Sequence, residues 1–440
     1  MSIIRRLFGG GKAKEIDINV HHVTRVEGHG NIILSAKNGN IEELKWEVVE
    51  SPRFFEAMLR GRRYDDVIII SPRICGICSL AHSTCSIQAC ENAFGIVPSE
   101  QTLLLRKLLY DAETLQSHVL HYFFLTAPDL LGVGSVFPLV ETHKDVVLMA
   151  LRLKKLANDL ADIVCGRKTH PIQPMVGGFA KLPTPEALTA IQQRLKDAMN
   201  DHQATVELFK TLKIPQFERE TEFIALKDPN EYAFISGDIS STDTGTTPVA
   251  NYLEMTNEFC VPHSTAKYTK HNRDSYAVGA LARFNNNHEQ LSPRAKEAAE
   301  AMGLKPICHN PYMNNVAQVV EAIYVTEHAI DIIDQLLARG LKEEKPDVPV
   351  KAGRGIGAVE APRGILFHDY TFDEHGILKE ANCVIPTNQN HNSIQRDFEA
   401  LVPQILNRPE SEIKLLLEML VRSYDPCISC SAHMIKVEFR

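Results

Sequence analysis

The sequence lacks any run of about 18 uninterrupted apolar residues, the length that a helix needs to cross a membrane. Its first residues, MSIIRRLFGGGKAK, include two arginines but no long apolar stretch, so they do not resemble a secretory signal. An excess of basic residues is also missing, since the formal net charge is -8, whereas a nucleic-acid partner requires a basic face. We therefore expect a cytoplasmic protein with no membrane span and no nucleic-acid partner.

Internal repeats, low-complexity tracts and clear linkers are absent as well. The glycines of Gly353–Gly357 have neither the spacing nor the context of a dinucleotide-binding fingerprint. Six of the ten cysteines are scattered without the spacing of an iron–sulfur set, and we expect them to be small buried apolar residues. They are Cys85, Cys90, Cys165, Cys260, Cys308 and Cys383.

The hydropathy pattern predicts strands towards both ends of the chain and long helices between them. Residues 16–50 alternate apolar and polar residues, and Asn38–Gly39 marks a hairpin turn. Apolar residues recur at three- and four-residue spacing in the segments predicted as helices. These are 53–62, a helix ending near Ala93, Gln101–Leu131, Lys144–Val164, Thr184–Leu212, Pro311–Leu337, Ser393–Leu406 and Ser411–Ser423. Residues 216–290 and 346–390 predict strands and loops, so the expected fold class is α+β and mainly helical.

Two Cys-x-x-Cys pairs stand at opposite ends of the chain. The first lies in Arg73–Cys78 and is followed by His82; the second lies in Asp425–Cys430 and is followed by His433. Two-residue spacing lets both thiolates of a pair turn towards one metal, and four thiolates suit zinc, iron–sulfur or nickel. Each pair borders a predicted helix, whose positive dipole end would stabilise thiolates.

From this pattern alone several interpretations stay open. A structural zinc site is favoured first, another metal comes next, and a redox-active pair or simple burial follows. However, zinc ribbons pair their cysteines across a short gap, whereas Cys78 and Cys427 are 349 positions apart. If both pairs share one site, the two ends of the chain meet in one core. We therefore expect residues 1–440 to form one interwoven domain, with a strand region at about 16–60, a helical core at about 78–345 and a C-terminal active-site segment at about 346–433.

Six ordered motifs resemble those of the large subunit of nickel–iron hydrogenases, and the likeness runs from about residue 18 to the C-terminus. They are Thr24–His29, Arg73–Cys78 with His82, His170–Pro171 with Val176–Gly178, Glu360–Gly364, Val384–Thr387, and Asp425–Cys430 with His433. Six motifs in order form a specific signal, which overturns the preference for zinc. The resemblance implies the fold and the activity of that family.

The resemblance implies a nickel–iron centre held by the four paired cysteines. Cys75 and Cys427 would be terminal nickel ligands, while Cys78 and Cys430 would bridge nickel to an iron that carries cyanide and carbon monoxide. Soft thiolates suit nickel.

Three further residues are expected beside this centre. Arg363 and Thr387 resemble the family's hydrogen-bond donors to cyanide, and His82 follows the first cysteine pair.

The implied reaction is heterolytic cleavage of dihydrogen into a hydride and a proton. Cys427 is expected to take the proton and Glu27 to receive it next, since burial can raise the pKa of a carboxylate to suit proton transfer. Arg363 and Asp425 are candidates for the residues above the open metal position. Many family members have an aspartate where this chain has Ser117, so that role is not carried over.

A second, structural metal is also implied by the resemblance. Glu56 resembles one ligand, and its partners would be His433 and the main-chain carbonyl of Cys383. Magnesium with bound water is the expected occupant.

The likeness further implies proteins that act with this chain. Because the chain has no cluster ligands of its own, electrons must pass to a small subunit with iron–sulfur clusters, and further electron-transfer subunits are expected. Residues 434–440 would be a tail that a maturation protease removes once nickel is inserted.

Other functions stay open as alternatives. They are a dihydrogen sensor with the same site, a quinone-site subunit of related fold, and a scaffold structured by zinc. The related quinone-site subunits lack the four cysteines, which argues against that alternative.

Overall fold

The computed structural model describes residues 15–432. His433 and residues 434–440 lie outside the described residues, and with them the expected ligand His433 and the expected maturation tail. Within the described part, the expectation of a mainly helical α+β fold is confirmed. No helix in this part of the chain is long and apolar enough to cross a membrane.

A three-stranded antiparallel sheet opens the fold. It consists of β1 (Glu15–Val20), β2 (Gly30–Lys37) and β3 (Asn40–Val48), in that order. Asn38 and Gly39 have φ values of 53° and 81°, which is the left-handed geometry of a two-residue hairpin turn. The hairpin predicted at Asn38–Gly39 is therefore confirmed.

Helices make up most of the remaining chain. They are α1 (Phe55–Leu59), α2 (Tyr64–Ile70), α3 (Ser79–Phe94), α4 (Glu100–Val119), α5 (Ala127–Leu130), α6 (Leu139–Thr142), α7 (Lys144–Cys165), α8 (Pro185–Thr211), α9 (Tyr252–Thr256), α10 (Ala280–Asn287), α11 (Pro293–Ala301), α12 (Asn314–Arg339), α13 (Pro386–Ile405), α14 (Glu410–Ser423) and α15 (Ile428–Ser431). A π-helical segment, Leu120–Thr126, continues α4 towards α5.

Three smaller sheets complete the architecture. Their strands are β4 (Pro174–Met175), β5 (Gly178–Phe179), β6 (Glu222–Lys227), β7 (Asp238–Ser241), β8 (Gly245–Thr247), β9 (Tyr276–Ala277), β10 (Gly353–Ala361), β11 (Gly364–Phe372) and β12 (Leu378–Val384). The strand orders are β4-β5, β8-β7-β6-β9 and β10-β11-β12, with only β6 and β9 running parallel within these described sheets.

Some predicted boundaries were wrong. The helix predicted over 53–62 is limited to α1, because Arg60 is extended and Gly61 has a positive φ. The helix predicted from Ser393 begins seven residues earlier, at Pro386, which occupies the first helical position. Its first two turns are rich in buried asparagine and glutamine, so their hydropathy hides the helical period. The segment predicted as strands and loops also contains α9 and α10.

One continuous core contains apolar residues from both ends of the chain. It includes Ile16 of β1, Leu105 of α4, Val320 of α12 and Leu417 of α14. The long helices α4, α7, α8 and α12 pack on one another at its centre. Elements that carry the two cysteine pairs border the same core, since Cys75 and Cys427 both belong to it.

A strip of glycines lets strand β10 lie directly against helix α3. An added Cβ at Gly353, Gly355 or Gly357 would stand 2.4, 2.1 or 2.1 Å from a backbone carbonyl oxygen of α3. Backbone atoms cannot move aside as a flexible side chain can, so only glycine allows this approach. The glycines that resemble no nucleotide motif thus place α3, which begins directly after Cys78.

We predict that Gly355→Ala lowers the free energy of unfolding by about 1–3 kcal/mol or more, because it overpacks this contact. Gly134→Ala is the matched control, since Gly134 is exposed and an added Cβ meets nothing within 4 Å. Denaturant unfolding of both variants measures the effect. Equal stability of the two variants would contradict the role of the glycine strip.

Candidate metal centre

The first cysteine pair follows a tight 3-10 helix, Ser71–Ile74, which ends at Cys75. The backbone N–H groups of Ile77 and Cys78 point at the Cys75 sulfur, at 3.3 and 2.9 Å. Such donors stabilise negative charge on sulfur. The structure joins Cys75 and Cys78 as a disulfide, so a metal would be bound by the reduced form of this pair.

The second pair lies in a turn that leads into α15. Asp425 adopts a left-handed conformation with φ of 50°, and this turns the chain back towards the N-terminal segment. The backbone N–H of Cys427 donates to the hydroxyl of Thr387 at 3.0 Å. The backbone N–H of Ile428 donates to the carbonyl of Glu27 at 2.9 Å. The C-terminal pair is therefore anchored to both α13 and the N-terminal region.

All four paired cysteines meet in one place. Their sulfur atoms lie within 4.8 Å of one another, and the Cys75 and Cys427 sulfurs are 3.6 Å apart. None of the four is more than 4% exposed. Hydrogen bonding with Cys430 and burial raise the pKa of Cys427 well above its ordinary value. A buried set of four soft donors fits a thiophilic metal, whose charge would displace the thiol protons.

The carboxylate of Glu27 lies beside this cluster. Its Oε2 accepts hydrogen bonds from the Cys427 sulfur at 3.2 Å and from the Ser429 backbone N–H at 3.0 Å. Gly28 adopts a φ of +85°, and an added Cβ there would stand 2.7 Å from the Ser429 nitrogen. Glycine at this position is what permits the Glu27 segment to approach the second cysteine pair so closely.

A buried ion pair covers another side of the cluster. Arg363 lies in the two-residue turn between β10 and β11, and both it and Asp425 are 3% exposed. Its Nη2 donates to Asp425 Oδ1 at 2.7 Å, and its Nε donates to the Asp425 carbonyl at 2.6 Å. Its Nη1 donates to the hydroxyl of Ser117 at 3.2 Å. Ser117 is thus a neutral neighbour of the guanidinium, and Asp425 alone supplies the balancing charge in this contact.

Asp425 is also held from the core side. The amide nitrogen of Gln318 donates to its Oδ2 at 3.2 Å, while the other end of that amide contacts His121 Nδ1 at 2.5 Å. His121 Nε2 lies 2.7 Å from the Arg422 carbonyl. With the amide in this orientation both ring nitrogens face acceptors, which is the arrangement that an imidazolium satisfies.

One face of α4 holds the chain on both sides of Cys78. The carboxylate of Glu113 accepts from the backbone N–H groups of Leu80 and Ala81 at 2.7 and 2.8 Å. The amide of Gln116 donates to the carbonyl of Ile77 at 2.8 Å. These residues and Ser117 project from the same side of the helix, because positions three and four apart share a face.

Two further expected residues make buried contacts of their own. His82 Nδ1 lies 3.0 Å from His368 Nε2, and the Tyr370 hydroxyl lies 2.7 Å from His368 Nδ1. Thr387 contacts the second cysteine pair through the Cys427 N–H described above. His82 and Thr387 thus belong to the polar groups packed around the two pairs.

Glu56 and Cys383 are brought together as well. Glu56 is 4% exposed, and its Oε1 accepts from the Cys383 backbone N–H at 3.1 Å. Burial raises the pKa of Glu56, and this hydrogen bond opposes the rise. The third expected ligand, His433, lies outside the described residues.

Several residues at the site had not been singled out from the sequence. They are Glu113, Gln116, Arg283, Gln318 and Glu321. A signal was present in α12, where Asn314, Gln318 and Glu321 interrupt an apolar helix at spacings of four and three. Such spacing places them on one buried face.

The architecture matches that of solved hydrogenase large chains. A structure of an NAD+-reducing [NiFe]-hydrogenase in the H2-reduced state aligns with a TM-score of 0.85 and 23% identity, over 95% of this chain and 99% of that one. The Ni-Fe-Se hydrogenase of Desulfomicrobium baculatum aligns with a TM-score of 0.76 and 23% identity, over 95% of this chain and 100% of that one. The fold is therefore that of a hydrogenase large subunit.

The sequence comparisons are more specific. The model of the nickel-dependent hydrogenase family matches residues 53–145 and 243–433. The alpha subunit of sulfhydrogenase 1 from Pyrococcus furiosus is 35% identical over 424 residues, which cover 96% of this chain and 99% of the relative. A subunit of the F420-non-reducing hydrogenase vhc from Methanococcus voltae is 28% identical over 96% of each chain. This chain belongs to the nickel-dependent hydrogenase family, and it is a catalytic subunit that acts on dihydrogen.

We predict that Glu113 makes stability depend on pH. Burial raises the pKa of Glu113 to about 8, so the folded state holds a proton that the unfolded state releases near about 4.3. Its contribution is therefore full below the unfolded pKa and is lost as the pH rises through about 8. Relative to wild type, Glu113→Gln should gain stability between pH 5 and pH 8.5, by on the order of 1 kcal/mol per pH unit.

Denaturant unfolding of the metal-free chain across this pH range measures the effect. Glu300→Gln changes an exposed glutamate of α11 and serves as the control. A stability difference between Glu113→Gln and wild type that is independent of pH would refute the assignment.

Proposed function

We propose that Cys75, Cys78, Cys427 and Cys430 hold the nickel–iron centre of this hydrogenase. Cys75 and Cys427 are its terminal nickel ligands, and Cys78 and Cys430 bridge the two metals. The observation that carries the proposal is the convergence of four buried sulfur atoms within 4.8 Å of one another. Membership of the nickel-dependent family supports the choice of metal.

The bound centre supplies the soft, Lewis-acidic metals that polarise dihydrogen. The Cys427 sulfur accepts the proton, and Glu27 receives it next, because its Oε2 lies 3.2 Å from that sulfur. The Ser429 N–H, 3.0 Å from the same oxygen, keeps the carboxylate directed towards the cysteine. Asp425 orients Arg363 through the two hydrogen bonds described above.

We further propose that the iron carries cyanide and carbon monoxide, with Arg363 and Thr387 as donors to cyanide. Thr387 accepts from the Cys427 N–H, which leaves its own hydroxyl proton free to donate. The described bonds of Arg363 involve three N–H groups, and a guanidinium has five. Magnesium bound by Glu56, the Cys383 carbonyl and His433 is the proposed second metal. Burial of Glu56 supports this.

The chain acts in a cytoplasmic assembly with a small iron–sulfur subunit, together with further electron-transfer subunits. The names of its relatives support this proposal, since each describes one subunit of a larger hydrogenase. So does a set of exposed apolar side chains around the start of α7, namely Phe137, Val140, Leu148 and Leu151. Lys154 of the same helix contacts Gln116, which in turn contacts Ile77 in the first cysteine loop. Native mass measurement of the purified complex tests the composition.

Two further proposals concern the chain as a whole. Residues 1–440 form one interwoven domain, which the shared core of β1, α4 and α14 supports. A maturation protease removes residues 434–440 after nickel insertion. Intact mass measurement of the nickel-loaded protein tests this, and a mass that includes Met434–Arg440 would show that the tail is permanent.

We predict that serine at any of the four paired cysteines abolishes stoichiometric nickel binding and dihydrogen-dependent activity, since a hydroxyl is a poor ligand for a soft metal. Nickel is measured by elemental analysis of the purified complex. Cys260→Ser is the matched control, because Cys260 is exposed and outside the cluster. Full nickel content and activity in all four variants would refute the ligand set.

We predict that Glu27→Gln retains both metals but loses proton exchange. The amide keeps the size of the side chain and cannot accept and pass on the proton, so dihydrogen/deuterium exchange should fall by about 100-fold or more. Glu47→Gln, in β3 of the same N-terminal region, is the control. Exchange at the wild-type rate in a metal-replete Glu27→Gln enzyme would rule out this role.

A further inference from the structure

Arg283, in helix α10, is a buried guanidinium whose hydrogen bonds are fully used. It is 0% exposed. Its Nε and Nη2 donate to the two carboxylate oxygens of Glu321 at 2.7 and 2.6 Å. Its Nη1 donates to Glu360 Oε2 at 2.9 Å. Two more bonds of 2.9 Å run from Nη1 to the carbonyl of Ala361 and from Nη2 to that of Pro362. All five N–H groups of the side chain are therefore engaged.

The two carbonyls belong to the turn that carries Arg363. Ala361 pairs with Gly364 across the hairpin of β10 and β11, so Pro362 and Arg363 are its two connecting residues. Arg283 thus grips the turn at the two peptide groups that immediately precede Arg363. A rotation of either peptide would redirect the Arg363 side chain and break a buried hydrogen bond to a charged donor, a bond worth roughly 1.5–3 kcal/mol.

The fork of Arg283 is itself fixed from behind. Glu321 also accepts from the Tyr232 hydroxyl at 2.6 Å and contacts His118 Nε2 at 2.7 Å. Burial opposes its ionisation, but the guanidinium of Arg283 brings the pKa of Glu321 down to about 2. Glu321 is therefore a permanent anion with every side occupied, and it leaves Arg283 no freedom to rotate.

A second contact ties the same helix to the turn and to the C-terminal segment. Gly279, directly before α10, lies so close to the turn that an added Cβ would stand 3.2 Å from the Arg363 carbonyl. The side chain of Asn314 accepts from the Leu281 N–H at 2.9 Å and donates to the Ser423 carbonyl at 2.8 Å. Helix α10 therefore fixes the Arg363 turn relative to the segment that leads to Asp425.

We propose that Arg283 is a positioning residue for the metal centre, which sets the direction in which Arg363 points. The inference rests on the proposed role of Arg363 beside the iron ligands. A lysine could supply the charge, but its single nitrogen cannot bond to two carboxylates and two carbonyls in a fixed plane. The geometry of the fork, rather than its charge, is what holds the turn.

The test compares Arg283→Lys with Arg106→Lys in the purified, nickel-loaded complex. Arg106 is the matched control, because it is a buried arginine that binds Glu91 and the Met175 carbonyl and makes no described bond to the Arg363 turn. Infrared spectroscopy of the cyanide and carbon monoxide bands, and the rate of dihydrogen oxidation per nickel, are the measurements. In Arg283→Lys the cyanide bands should shift or broaden and the rate should fall at least tenfold, whereas Arg106→Lys should leave both unchanged.

A crystal structure of Arg283→Lys gives a readout that does not depend on metal chemistry. The Arg363 bonds to Asp425, at 2.6 and 2.7 Å in the native chain, should lengthen beyond hydrogen-bonding distance. Unchanged bands, rate and Arg363 geometry in Arg283→Lys would overturn the inference while leaving the proposed function intact. Absence of the bands from the wild-type enzyme would overturn both.

Glu321→Gln covers the case in which Arg283→Lys fails to fold. The glutamine keeps the size of the side chain and offers one acceptor oxygen in place of two, so it loosens the fork without removing it. The same band shift, smaller in size, is expected. Native bands and a native rate in Glu321→Gln would then count against the inference.

Discussion

Four thiol groups from opposite ends of the chain must stay together in a core without water, and the rest of the structure depends on this constraint. The two ends meet where Glu27 and Cys427 form a parallel backbone bridge. Arg422, at the end of α14, donates to the carbonyl of Thr24 at 2.9 Å and to Asp129 at 2.7 Å, and Arg25 also binds Asp129. The contact between the chain ends is therefore locked by a buried carboxylate that both ends share.

Keeping charge in such a core requires a partner for every polar group, because an unpaired buried charge costs several kcal/mol. Helices α4 and α12 supply most of these partners. Each is apolar around most of its surface and has one polar stripe: Glu113, Ser117 and His121 on α4 and its π-helical continuation, and Asn314, Gln318 and Glu321 on α12. The two helices pack against each other at the centre of the molecule, so their stripes serve the site and their apolar faces serve the core.

Local sequence was sufficient to predict the parts of the site that depend on short spacing. The cysteine pairs, Glu27 and Arg363 stand in compact motifs, and the hairpin at Asn38–Gly39 follows from two residues. The beginning of α13 was wrong because its asparagines and glutamines bond to distant segments, as Asn390 does to Val278 and Asn392 to Thr269. The link from Arg283 to the Arg363 turn joins residues 77 to 79 positions apart. No local pattern encodes such a pairing.

The serine at position 117 is best understood through the charge balance of the site. Arg363 meets one carboxylate, Asp425, in a pair that is neutral as a whole, and the Ser117 hydroxyl completes its contacts without adding charge. An aspartate in place of Ser117 would put a second carboxylate against the same guanidinium, close to four sulfurs that become anionic when they bind metal. Like charges at this distance in a dry environment repel strongly. In this chain His121 is the other cationic candidate near Asp425, since its Nε2 lies 3.8 Å from Asp425 Oδ1. The serine therefore keeps the surroundings of Arg363 close to neutral, so that its remaining N–H groups are available to the metal centre.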